Sequence, residues 1–239
     1  MTRPALWTSI RDTLQKEIGD GHYAPGDKLP TEADLSHRFG VNRHTVRRAI
    51  ADLCEAGLLR ARRGAGVFVT QKPTLYPLGK RVRFNQALLA SGQTPARRYT
   101  FLNTRPGDER ECEALLLEPG APVHICEGIS LADDQPLGIF RSAFPADRFP
   151  DLLKSLETTH SITRAFAENG LSDYLRASTD ITATRATAIQ ATQLGLREGS
   201  PILRTVSINV DQNNTPVEYG RSWFAGDHVT LTLKSGDLI

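Results

Sequence analysis

Residues 41–50 read VNRHTVRRAI and carry Arg43, His44, Arg47 and Arg48 without an acid. If the run opens a helix, these cations stand where the helix dipole is already positive, which is unfavourable unless an outside anion meets them. A second basic cluster follows in GLLRARRGAGVFV, residues 57–69, where Arg60, Arg62 and Arg63 crowd the approach to Gly64, Ala65 and Gly66. Its glycines permit close backbone approach, and its arginines suit phosphate or a minor groove. Arginine also bonds guanine O6 and N7 bidentately, while Thr45 and a helix N-terminus suit a phosphate oxygen. Together these residues point to recognition of a polyanion that presents base edges. Taken alone, VNRHTVRRAI reads equally well as a solvated basic helix face.

The elements expected to hold these side chains are a helix-turn-helix and a hairpin. Leu6, Ile10, Leu14 and Ile18 recur every four residues beside Trp7. The pattern stops at GDGHYAPGDKLP, which predicts an amphipathic helix closed by glycine and a proline-containing loop. Thr31 stands as an N-cap with Asp34 three residues on, Leu35 and Phe39 share a face, and Gly40 supplies a left-handed stop. Asn42 then caps a third helix with the stripe Val46, Ala49, Ile50 and Leu53. On it His44 and Arg48 point away from the stripe, with Arg43 and Arg47 on one flank and Thr45 on the other. The strand, Gly-rich tip and returning strand behind it make a wing.

Charge follows the same division. Residues 1–75 hold 12 Lys+Arg against 8 Asp+Glu, and the remainder 17 against 19, so a basic piece is joined to a slightly acidic one. A chain of 239 residues has room for both as separate domains. No apolar run reaches the length of a membrane span, and the N-terminus lacks the apolar region of a signal peptide. Cys54, Cys112 and Cys126 show neither metal nor redox spacing. The expectation is a protein of the reducing cytoplasm, with no membrane association and no cofactor.

The stretch PGDKLPTEADLSHRFGVNRHTVRRAIADLCEAGLLRARRGAGVFV resembles the winged helix of GntR-type transcriptional regulators. Carried over by position, the resemblance implies DNA contacts for Asn42, Arg43, His44, Thr45 and Arg47, and for Arg63 and Gly64 at the wing. With the direct reading, the expected DNA-binding set is Thr31, Asn42, Arg43, His44, Thr45, Arg47, Arg48, Arg62, Arg63, Gly64 and Gly66, Arg48 being open between phosphate and solvent. Ala33 stands where some members carry a DNA-touching arginine, and His44 replaces a small polar residue, so the operator sequence cannot be copied from them.

TQKPTLYPLGKR, residues 70–81, has two prolines, a glycine and little periodicity. The expected domains are therefore 1–70, a linker at 71–81, and 82–239. Beyond the linker lies a weak internal repeat: LEPGAPVHICEGISLADDQPLGIFRSAF from Leu117, and LREGSPILRTVSINVDQNNTPVEYGRSWF from Leu196. Each follows a helical stretch, crosses a Gly-x-Pro step and forms two strands around a polar turn. This predicts two equivalent helix-plus-hairpin units in one antiparallel sheet. Further helices are expected at 85–91, 147–156 and 160–169, giving an α+β protein overall.

This second half resembles the chorismate-lyase-like effector domain (UTRA) of the HutC branch of GntR regulators. YPLGKRVRFNQALLASG, DYLRASTDITA and TPVEYGRSWFAGD are most similar to the phosphonate-utilisation repressor group. The resemblance implies ligand positions at Phe84, Asn85, Ser161, Thr163, Glu218 and Phe224. Each also has a structural reading: a cap for Asn85, core for Phe84 and Phe224, an arginine partner for Glu218. Sugar-phosphate sensors of the branch carry two arginines where this chain has Gly128 and Ser130, and a glutamate where it has Phe140. Arg141, Arg176 and Arg221 are the candidates to supply that charge, although in an ideal strand Arg141 and Phe140 face opposite ways.

The resulting expectation is a homodimeric regulator, a repressor, on a near-palindromic double-stranded operator, released by a small anion of phosphonate or phosphate-like chemistry. A HutC-branch sensor of a sugar phosphate or organic acid is the alternative. A lyase-like enzyme fused to a DNA-binding domain is disfavoured, because no nucleophile–base pair, metal cluster or phosphate-cradling loop is present. His124, His160 and His228 read as structural residues.

Overall fold

The computed structural model describes residues 5–62, 64–70, 73–81 and 83–233, Arg62 by its backbone alone. The chain divides between residues 72 and 73 into two compact units.

In the first unit, α1 (Leu6–Gly19), α2 (Glu32–Phe39) and α3 (Arg43–Glu55) precede a hairpin of β1 (Leu59–Arg62) and β2 (Gly66–Val69). Ile10 and Leu14, Leu35, the whole stripe of α3, and Leu59 and Val69 close into one core. Leu6, expected on the α1 stripe, instead remains 68% exposed. The capping chemistry sets the turn. Thr31 Oγ1 accepts from the Asp34 N–H at 3.2 Å while Asp34 Oδ2 accepts from the Thr31 N–H at 3.1 Å. Gly40 closes α2 at φ 63°, ψ 33°, a conformation that costs other L-residues, and Asn42 Oδ1 accepts from the Thr45 N–H at 2.9 Å to open α3.

The second unit contains β3 (Thr74–Pro77), α4 (Phe84–Ala90), β4 (Pro95–Pro106), α5 (Glu109–Leu115), β5 (Pro122–Ala132) and β6 (Gln135–Pro145). There follow α6 (Leu152–Thr159), α7 (Ile162–Glu168), β7 (Leu175–Arg185), α8 (Ala188–Leu194), β8 (Pro201–Val210), β9 (Pro216–Ala225) and β10 (Val229–Thr232). The central sheet is antiparallel in the order β4-β5-β6-β9-β8-β7. It is the expected pair of units, each one strand longer than the repeat suggested: β4-α5-β5-β6 and β7-α8-β8-β9, meeting at β6 and β9. Equivalent bulges at Ser130/Leu131 and Asn209/Val210 mark the correspondence. Asp108 and Thr187 cap α5 and α8 with the same reciprocal box.

Three expectations are corrected. Residues 71–81 are more than a linker, because β3 pairs in parallel with β10 and belongs to the second unit. The helix expected at 147–156 begins only at Leu152, since Pro150 bars the residue before it from helical geometry. Asn85 is not an N-cap: α4 starts at Phe84, whose buried ring anchors the first turn, and Arg83 holds the cap position.

Candidate functional site

On the first unit, α3 presents Asn42, Arg43, His44 and Arg47 to solvent while its stripe is buried. Their environments differ. Asn42 Oδ1 also takes the Thr45 hydroxyl at 2.9 Å, so its amide N–H groups are left outward. Arg47 is forked onto Glu32 at the start of α2, Nε–Oε1 3.0 Å and Nη2–Oε2 2.6 Å, and this bond holds the Glu32 carboxyl below its usual range. The fork uses the Nε–Nη2 edge of the guanidinium and leaves open the opposite edge, whose paired N–H groups have the geometry of a bidentate donor. Glu32, which the sequence reading did not single out, thus aims Arg47. Arg48 is also exposed, and its guanidinium lies 4.5 Å over the Trp7 ring of α1. The Thr31 hydroxyl donates to Asp34 Oδ2 at 2.6 Å and is engaged in its cap.

At the wing, Gly64 and Gly66 adopt φ 71° and 118°, the latter opposite Arg62 in the hairpin register. Arg63 lies outside the described residues. Lys28, bridged to β2 at Phe68, runs along Gly66, where a Cβ would stand 2.7 Å from its Cε. It adds a cation to the wing base; nothing in its local sequence signals this, because only the folding of the loop onto β2 brings it there.

In the second unit a polar cavity of about 80 Å³ opens on the sheet face that α4 and α7 border. Phe84, Asn85, Ser161, Thr163, Arg176, Glu218 and Phe224 all line it, so seven of the nine expected positions come together. Arg141 and Arg221 do not. They sit opposite each other on β6 and β9 and point to the other face, where buried Glu111 takes Arg141 at 3.3 Å, Arg221 at 3.8 Å and Arg105 at 2.8 Å. The cause is the two-residue period of a strand: Phe140, Ser142, Gly220 and Ser222 face the cavity, so their neighbours Arg141 and Arg221 cannot. Burial pushes the Glu111 carboxyl up, but Arg105, the Asp108 N–H and the charge of Arg141 outweigh it, and the group stays below the ordinary range.

Arg97 on β4 was missed and lines the cavity. Its guanidinium lies 4.7 Å over Phe140 and 5.0 Å over Phe84. Arg97 pairs with Ser130 and Arg176 with Asn209, equivalent places in the two units, so extending the repeat by one strand would have found it. A bulge between Arg176 and Ser178 turns both Arg176 and Thr179 inward. Arg176 Nε then donates to Asn209 Oδ1 at 2.6 Å and its Nη1 to Thr179 at 3.1 Å. Glu218 accepts from the Ser142 hydroxyl and the Asn209 amide, both at 2.6 Å. Thr163 shares a 2.9 Å hydrogen bond with the Tyr174 hydroxyl.

His124, His160 and Cys126 are held in the packing of the second unit. His124 is buried between Thr104 Oγ1 at 2.7 Å and the Phe149 carbonyl at 3.1 Å, and burial lowers its pKa. His160 ends α6 in a left-handed conformation and stacks on Tyr99. Burial pushes the Cys126 thiol up to about 12, which removes it as a nucleophile.

Residues 6–69 match the gntR family of bacterial regulatory proteins, and residues 90–230 match the UTRA domain. The chain is 37% identical to an uncharacterized HTH-type transcriptional regulator, RB1450, of Rhizobium meliloti (strain 1021), over 97% of this chain and 95% of that one. It is 32% identical to the probable transcriptional regulator PhnF of Escherichia coli (strain K12), again over 97% and 95%. The transcriptional repressor NagR of Bacillus subtilis (strain 168) is 29% identical over 95% of this chain and 93% of its own. The crystal structure of PhnF from Mycobacterium smegmatis superposes with a TM-score of 0.65 at 26% identity, covering 94% of this chain and 98% of that one.

Proposed function

This chain belongs to the GntR family of bacterial regulatory proteins, joining its helix-turn-helix to a UTRA domain, and on that premise we propose that it represses phosphonate- or phosphorus-acquisition genes. Its relatives are named transcriptional regulators, and the chain is a DNA-binding transcriptional regulator rather than an enzyme. In this reading a homodimer in the bacterial cytoplasm sets two α3 helices into successive major grooves of a near-palindromic operator. A small phosphonate or phosphate-like anion fills the cavity of the second unit and favours a dimer whose reading heads no longer match the half-sites.

The observation that carries the effector reading is the convergence of Arg97 and Arg176 on a small, hydroxyl-lined cavity. The recurrence of PhnF among the relatives and solved structures supports the phosphonate-utilisation group. The sugar-phosphate alternative loses support at Gly128. A Cβ there would lie 2.3 Å from the Arg98 carbonyl oxygen and 2.9 Å from the Phe140 ring, so the backbone has no room for the arginine such sensors carry.

The test is fluorescence anisotropy of the full chain on its own promoter DNA, titrated with methylphosphonate, inorganic phosphate and glucosamine 6-phosphate. Release by either of the first two supports the reading. Release by the sugar phosphate alone overturns it.

A further inference from the structure

The cavity holds charges of both signs that the fold leaves unneutralised. Among the described residues, neither Arg97 nor Arg176 forms an ion pair with a carboxylate. Glu218 is 7% exposed, yet among the described residues it is met only by the neutral donors Ser142 and Asn209. A carboxylate buried without a cation is costly, and each of its oxygens keeps room for another donor. Asn209 stands between the two signs: its carbonyl takes Arg176 and its N–H group serves Glu218. One side-chain amide thus keeps guanidinium and carboxylate from pairing directly. The repeat sharpens the asymmetry. The arginines occupy equivalent outer strands, whereas the counterpart of Glu218 is Gly138, where a Cβ would stand 2.9 Å from the Phe224 ring.

We propose that the effector is itself dipolar: a phosphonate or phosphate group on the arginine side and an ammonium on Glu218, joined by a short carbon linker. The inference rests on the anionic-effector reading and narrows it to short aminoalkyl phosphonates or phosphate esters. The small size of the cavity, about 80 Å³, favours a short linker.

Calorimetric titration of the full chain with 2-aminoethylphosphonate, O-phosphoethanolamine, ethylphosphonate and 2-hydroxyethylphosphonate tests it. The better of the two amines is expected to bind at least about tenfold tighter than ethylphosphonate, and its identity separates a phosphonate from an ester. Glu218→Gln, which keeps the shape and removes the negative charge, is expected to abolish that ratio by weakening the amine and not ethylphosphonate, whose binding the loss of a nearby negative charge can only favour. Equal binding of ethylphosphonate and both amines overturns the dipolar ligand and leaves the anionic reading standing. A hydroxyl analogue as tight as the amines does the same, making Glu218 a hydroxyl acceptor. Failure of all four anions to bind overturns the anionic reading as well. Should the variant not fold, the wild-type ratio decides.

Discussion

In the proposed operator complex, Arg47 and Glu32 act as one unit of recognition rather than a cation and a bystander. The carboxylate engages one edge of the guanidinium and fixes the direction of the other. Arg47→Ala is expected to weaken operator binding about tenfold to hundredfold and leave random DNA nearly unaffected, measured by anisotropy at physiological salt. Equal loss on both DNAs would make Arg47 a phosphate contact. Glu32→Ala is expected to lower the operator preference too, although it adds net positive charge; a uniform gain on all DNA would show that Glu32 merely repels phosphate. In the second unit, Arg97→Ala is expected to raise the effector dissociation constant about tenfold or more with little change in melting temperature, because its guanidinium packs on ring faces and has no carboxylate to strand. Unaltered affinity in calorimetry would remove Arg97 from the site.

The helices and strands explain why charge at Arg141 and Arg221 is unavailable to the cavity. Strand alternation places both on the opposite face, where they meet Glu111, whose side chain also closes the capping box of α5. Glu111→Gln keeps the cap but removes the carboxylate that Arg105, Arg141 and Arg221 share, Arg141 keeping Glu127 at 2.9 Å; at neutral pH the loss should be about 3 kcal/mol in denaturant unfolding. The folded carboxyl titrates below its ordinary 4.5, so its contribution is complete above that value and disappears as acidification carries it through the lower folded pKa. Wild type and variant should therefore converge in strong acid, and a gap that persists there would point to packing instead. At Gly128, even alanine presses on the Arg98 carbonyl and the Phe140 ring. Gly128→Ala is expected to cost about 1–3 kcal/mol by the same measurement, and a neutral result would show that the Phe140 ring and the Arg98 backbone yield to a Cβ.

Across the whole molecule, the regulatory proposal is a linkage between two sites, and linkage is reciprocal: an effector that weakens operator binding must itself bind less tightly when operator is present. Calorimetry with and without operator DNA should show that loss, and equal affinities would sink the mechanism. Much of this organisation is written locally. The caps at Thr31, Asn42 and Gly40, the stripe of α3 and the basic wing are patterns within a few residues, where hydrogen-bonding side chains and periodic burial act on near neighbours, so they were legible in the chain. The repeat from Leu117 and Leu196 likewise announced two equivalent units, because the same element pattern recurs at a steady spacing. What lay beyond that reading depended on which face each strand buries and which distant strands adjoin. Strand alternation turned Arg141 and Arg221 away from the cavity, and a bulge turned Arg176 in. Parallel pairing with β10 made part of an expected linker into β3. Arg97 met Phe140 only because β4 and β6 both flank β5, and such register is set by long-range packing, which no short stretch of sequence contains.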